Sequence, residues 1–246
     1  MSSERIVSTL STGAPEGLER ALDALGVTFV HRPLLTFETD AFGPALGAAI
    51  SALDQFQAVA LTSPRSADLY AGAVREAHAV SPPLWASGPT TARELQPLAQ
   101  VHMVEPPAPD GAAAALARMM IGQGVTGPVL FPCGEQHRDV LPGRLRAAGI
   151  EVTELVCYRA VIAPPAELRA AAASGDMILV GSGRVAQALA DAVPASERPG
   201  LVAVGPVTTR AAASAGWPAA ATVEEFTVPL LLQAVRAVLQ LAQGAR

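Results

Sequence analysis

The chain has 246 residues, enough for one large domain or two ordinary ones, and although half of them are apolar, no run approaches the roughly 20 that a membrane span needs. Its net charge is −5 and all 17 basic residues are arginines, which excludes Schiff-base lysine chemistry and the lysine of a phosphate-binding Walker loop. Those arginines are scattered and only 4% of residues are aromatic, which argues against a nucleic-acid surface.

In chain order, the pattern predicts a strand at Arg5–Thr9 and a helix at Gly17–Leu25, with Leu18, Ala21, Leu22 and Leu25 on one face. Gly26 stops that helix, and a second strand begins at Val27–Val30. A strand at Ala58–Leu61 leads to a helix at Ala67–Glu76, and Leu84–Ser87 leads to Ala92–Leu98. Val101–Val104 precedes a loop marked by Pro106-Pro107-Ala108-Pro109, then a helix at Ala112–Gly122. Strand Val129–Phe131, helix Val140–Ala147 and strand Glu151–Leu155 follow. After Pro164-Pro165 come strand Met177–Val180, helix Val185–Ala192, strand Leu201–Val204, and helices at Arg210–Ala215 and Val228–Leu241. Alternation of this kind implies an α/β fold with parallel sheets flanked by helices.

Two stretches repeat each other. Leu61-Thr62-Ser63-Pro64-Arg65-Ser66 is followed by Gly88-Pro89-Thr90-Thr91-Ala92-Arg93. Val180-Gly181-Ser182-Gly183-Arg184 is followed, at a similar interval, by Gly205-Pro206-Val207-Thr208-Thr209-Arg210. A second echo links Leu18–Val27 with Leu141–Ile150, but on the other side of the first repeat in chain order. Such duplication predicts two similar α/β domains. One is expected at 38–157, inserted into another built from 1–35 and 162–246. Extended connectors at 31–37 and 155–161 would form a two-stranded link between them.

Each repeated element lies where a strand ends and a helix begins. Free backbone N–H groups and the positive end of the helix dipole face outward there, a setting suited to anions. Gly88 and Gly205 permit a tight turn, Thr91 and Thr208 are placed to cap a helix or reach a ligand, and Ser63 and Ser182 occupy the matching turns. Taken singly, each hydroxyl reads as a helix cap; four in matched positions read better as a shared ligand rim along the carboxyl edges of the sheets.

No familiar catalytic constellation accompanies them. His31, His78, His102 and His137 lack metal-ligand spacing, Cys133 and Cys157 lack a Cys-x-x-Cys neighbour, and no Gly-x-Gly-x-x-Gly follows the first strand. Neither a metal nor a cofactor is expected, and Cys133 is read as a loop thiol. Tyr158, one of two tyrosines, lies beside Arg159 in the second connector. It reads either as a proton donor in a cleft or as an amphipathic cover on a strand edge. The low cysteine count, and the lack of an apolar stretch after Met1-Ser2-Ser3-Glu4-Arg5, suggest a cytoplasmic protein.

Over nearly its whole length the chain resembles the uroporphyrinogen-III synthase family. The likeness rests on Leu61–Ser66, Gly88–Ala92, Val129-Leu130-Phe131-Pro132-Cys133-Gly134-Glu135 with Leu141, Leu145 and Gly149, Val156-Cys157-Tyr158-Arg159, the Ser182 turn and Val204–Thr208. The resemblance implies two α/β domains with a cleft site. It implies a cofactor-free lyase of tetrapyrrole (haem, sirohaem, cobalamin) biosynthesis that cyclises hydroxymethylbilane to uroporphyrinogen III, with inversion of ring D and loss of water. It also implies catalytic roles for Tyr158 and Thr208. Ser63, Arg65, Gly88, Thr91, Gly134, Ser182, Gly183, Arg184 and Gly205 would hold the substrate, with Arg138 a further candidate for its carboxylates. The expected partner is this small molecule alone, with neither nucleic acid nor membrane, and the protein is expected to be a monomer. The alternative is a non-catalytic relative that binds a tetrapyrrole precursor or another acidic small molecule as a sensor. Two departures from the family pattern stand out: Thr9 is followed by Leu10 where a Thr-Arg pair is common, and Gly181 stands where a bulkier residue often precedes the hydroxyl.

Overall fold

The computed structural model describes residues 4–105 and 110–244, with side chains to residue 240, so the proline-rich loop expected at 106–109 lies outside the described residues. The elements in chain order are β1 (Glu4–Ser8), α1 (Leu18–Asp23), β2 (Val27–His31), β3 (Leu35–Glu38), α2 (Gly43–Ser51), β4 (Ala58–Leu61), α3 (Pro64–Glu76), β5 (Leu84–Ala86), α4 (Pro89–Leu95), β6 (Val101–Met103) and α5 (Ala112–Gly122). They continue with β7 (Val129–Gly134), α6 (Val140–Ala147), β8 (Val152–Ile162), α7 (Pro165–Ala173), β9 (Met177–Val180), α8 (Gly183–Ala192), β10 (Gly200–Val204), α9 (Pro206–Ser214), β11 (Ala221–Val223) and α10 (Val228–Gly244). The chain divides into two units, Met1–Thr36 with Val161–Arg246, and Phe37–Ala160.

In the first unit five parallel strands run in the order β2-β1-β9-β10-β11. Because successive strand side chains face opposite ways, neighbouring residues feed two separate cores. Val7, Ile178, Val180, Leu201 and Ala203 pack beneath α7, α8 and α9. Ile6, Met177, Leu179 and Val202 pack beneath α1 and α10. The runs are apolar throughout rather than alternating, as a sheet covered on both faces requires.

The second unit has the order β8-β7-β4-β5-β6, all parallel, with β3 added beside β8 at the edge. Here Ala58, Ala60, Val129, Phe131 and Cys133 meet α5 and α6, while Val59, Leu61 and Leu130 meet α2, α3 and α4. If β4, β5, β6, β7 and β8 are matched to β9, β10, β11, β1 and β2, the two strand orders coincide. The units therefore share one topology, entered at different points of the chain, and this is why the two sequence echoes occur in opposite order.

Several expectations are corrected. Helices α2 and α7 carry no earlier expectation. In α2 only Ile50 is buried, and Gly43, Pro44 and Gly47 blur its pattern. Pro165 opens α7 at its first position, where a missing N–H costs nothing, although Pro164-Pro165 reads as an end to structure. Strand β11 is three residues at a sheet edge, too short to show a period. Cys133 is no loop thiol: β7 continues through Pro132 to Gly134, and the thiol is buried, its pKa raised by burial to about 12. Proline is tolerated there because β7 pairs with β4 only at Val129 and Leu130. Among the described residues no helix is long and apolar enough to cross a membrane.

Candidate active site

In each unit the strand order reverses direction once, between β4 and β7 in the second and between β9 and β1 in the first. Loops leaving adjacent strands on opposite sides open a crevice at their carboxyl ends, the usual ligand position in open α/β sheets. Sequence-predicted site residues lie at both places.

In the second unit, β4 ends into the α3 turn, where Ser63 is the N-cap with φ −135° and ψ 130° and Pro64 is the first helical residue. The Ser63 Oγ accepts a long hydrogen bond of 3.5 Å from Ser66 N and shares one of 3.2 Å with the Tyr158 hydroxyl. Tyr158 lies in β8, opposite Gly134 across a register irregularity in the β7–β8 ladder. Its ring meets Phe37 edge-on, with centroids 5.5 Å apart at 79°, and the Arg65 guanidinium stacks 4.2 Å over the same Phe37 ring. Gly134 is buried, and a Cβ there would lie 2.7 Å from Tyr158 Cζ, so only glycine lets the phenol take this position. Ser63, Arg65, Gly134 and Tyr158 thus form one cluster, with Phe37 as the member that sequence reasoning missed. Phe37 stands among extended residues whose period says nothing about ring contacts.

The cluster is electrostatically one-sided. The α3 N-terminus contributes partial positive charge, Arg65 adds a full one, and among the described residues no carboxylate pairs with Arg65. Neighbouring Arg159 is already engaged, donating to Glu38 at 2.5 and 3.1 Å. An anion beside a half-buried phenol O–H is the ligand chemistry this arrangement favours.

The first unit carries the matching turn with different contents. Ser182 is the N-cap of α8 at φ −135° and ψ 128°, almost the Ser63 conformation, yet its side chain makes no capping bond. It lines a cleft of about 240 Å³ with Thr9, Leu10, Thr12, Gly181 and Phe226. A Cβ on Gly181 would collide with Leu10 Cδ2, so Leu10 fills the space a side chain at 181 would need. Thr9 ties this turn down, its N–H and hydroxyl both donating to Leu179 O at 2.9 Å. Gly183 is a packing residue, since a Cβ there would sit 2.9 Å from Ala211 Cβ of α9. Arg184 is exposed, as is Arg138 of the second unit.

The Gly-Pro elements differ in a further way. Gly205 has φ +81°, which favours glycine, whereas Gly88 has φ 169°, extended backbone open to any residue. The tight-turn expectation therefore holds only at Gly205. Neither Thr91 nor Thr208 caps its helix: each lies inside the first turn, after the Gly N-cap, and is 4% exposed. Ser182, Gly183, Arg184, Gly205 and Thr208 belong to the first unit, and Gly88 and Thr91 to the second.

Two parallel α/β units of one topology, each with a switch point in its strand order, define the class of protein. Within that class the chain belongs to the HEM4 family, described as uroporphyrinogen-III synthase HemD, whose sequence profile matches residues 16–233. A solved mutant uroporphyrinogen III synthase from Thermus thermophilus is similar in fold at 18% identity and TM-score 0.68, covering 96% of this chain and 99% of its own. The uroporphyrinogen-III synthetase of Helicobacter pylori is similar at 16% identity and TM-score 0.57, covering 99% of this chain and 100% of its own. No curated protein matches the chain.

Proposed function

We propose that the protein is a uroporphyrinogen-III synthase, a lyase that cyclises hydroxymethylbilane to uroporphyrinogen III with inversion of ring D and loss of water. Family membership supports the reaction class, and the observation that carries the mechanism is the Tyr158 hydroxyl, 3.2 Å from Ser63 Oγ at the positive end of α3. The substrate's eight carboxylates suit helix N-termini, hydroxyls and Arg65.

In this reading Tyr158 donates a hydrogen bond to the terminal hydroxyl of the bilane, which takes a proton and departs as water. The resulting azafulvene is attacked by the substituted carbon of ring D, giving a spiro intermediate. That intermediate fragments and recloses with the ring turned around, and the proton lost from the ring carbon at closure balances the one carried off by the water. Spontaneous closure proceeds without inversion, so the protein's contribution is to hold one folded conformation of a flexible chain. Thr208, in the first turn of α9, is the second residue assigned to the reaction, and Ser182 and Gly205 to carboxylate binding.

Supplying freshly generated hydroxymethylbilane, oxidising the product and separating the type I and type III porphyrins tests the proposal. Type III is the expected product. Only type I at the spontaneous rate would assign the chain to binding rather than catalysis. Tyr158→Phe is expected to lower turnover by about 100-fold, the lower end of general-acid effects, with the fold intact.

A further inference from the structure

The turn that follows β7 carries contacts that the reaction as written does not use. Because Gly134 lacks a side chain, its backbone lies close against the Tyr158 ring, where a Cβ would come within 2.7 Å of Cζ. Glu135 N donates to Tyr158 O at 2.9 Å, and His137 N donates to Gly134 O at 3.0 Å. The His137 ring binds the same turn: Nδ1 is 3.1 Å from Gly134 O, and Nε2 is 2.6 Å from Glu154 Oε2 on β8. Both partners are acceptors, so the ring satisfies both contacts only when both nitrogens carry hydrogen.

The remaining neighbours frame this bridge. The ring meets Phe131 edge-on at 5.5 Å and 81°. Glu154 is held from the other side by Arg146 at 2.6 Å, and Arg146 also donates to Val152 O at 2.9 Å and lies 3.8 Å from Asp139. Partial burial pushes the Glu154 carboxyl up, but the Arg146 hydrogen bond and the charges of His137 and Arg146 outweigh it and hold it below the ordinary carboxylate range. The Cys133 thiol on β7, also near the carboxylate, stays neutral.

We propose that His137 is a positioning residue: by bridging Glu154 and the Gly134 carbonyl it holds the Gly134 turn against the Tyr158 ring and fixes the direction of the phenol toward Ser63. The inference rests on the reading of Tyr158 as proton donor. Its structural half is testable without turnover, because the chain has only two tyrosines and the other, Tyr70, is buried in α3 with its own partner, Ser81, at 2.7 Å.

The experiment labels tyrosine with ¹³C at Cζ, assigns the Tyr158 line with Tyr158→Phe, and compares native protein with His137→Ala and His137→Asn. His137→Ala is expected to shift the Tyr158 line and leave the Tyr70 line in place. His137→Asn, which keeps a donor toward Gly134 O but loses the bridge to Glu154, is expected to shift the Tyr158 line by a smaller amount. On hydroxymethylbilane, kcat of His137→Ala falls about tenfold with KM little changed, the signature of lost alignment. A Tyr158 line unmoved by His137→Ala overturns the proposal. If that variant loses the native Tyr70 line as well, His137→Asn decides: a Tyr158 line unmoved by His137→Asn overturns the proposal equally. Native protein that makes no type III porphyrin while the Tyr158 line still responds would sink the catalytic reading and leave the positioning role standing.

Discussion

The two switch points, between β4 and β7 and between β9 and β1, are built from the same backbone and filled differently. Ser63 and Ser182 differ by 2° in ψ, yet Ser63 Oγ meets a phenol while Ser182 faces a small uncharged cleft. The glycine beside each switch point makes room for a different neighbour. Gly134 makes room for the Tyr158 ring in one unit, and Gly181 makes room for Leu10 in the other. The two units thus share their turns and differ in the side chains that the neighbouring strands bring to them. The lesson is that a repeated cap supplies a site's electrostatics but not its reactive group.

The strongest break of this comparison is Gly134→Ala. Its Cβ meets the rigid Tyr158 ring, so a loss of about 1–3 kcal/mol in urea unfolding is expected, together with a clear fall in turnover. Gly181→Ala meets only the flexible end of Leu10, so about 1 kcal/mol is expected, and making it in a Leu10→Ala background removes most of that cost. Additive losses in that double-mutant cycle would show that Leu10 and Gly181 are not coupled by packing. Gly205→Ala is expected to cost about 1 kcal/mol more than Gly88→Ala, because only Gly205, at φ +81°, lies in the region that favours glycine and neither meets a neighbour. The smallest contrast is at the caps. Ser63→Ala should cost about 0.5–1 kcal/mol and Ser182→Ala close to nothing, since only Ser63 makes side-chain bonds, and equal losses would deny the difference.

Much of this was legible in the chain. Strands β4, β9 and β10 are unbroken runs of apolar residues, and the hydroxyl, glycine and proline residues that close them are local signals. Helices α5 and α6 match their expected ranges, Ala112–Gly122 and Val140–Ala147. Elements whose existence depends on neighbours were less legible: β3 and β11 are edge strands, and β7 extends past Pro132 only because β8 pairs beyond the point where β4 stops.

The site divides along the same line. Ser63, Ser182, Gly88 and Gly205 could be singled out from repetition alone, because turn chemistry is decided within a few residues. Whether the Tyr158 hydroxyl pointed toward a turn or into water was open in the sequence, as its partner lies 95 residues away. The roles of Phe37, Leu10 and His137 were equally hidden, since each acts through packing or a hydrogen bond to another strand's turn. The sequence by itself determined the α/β class, the duplicated turns and the family. Only the tertiary structure decided which side chains meet at each turn, because those contacts join distant segments whose register is set by the whole sheet.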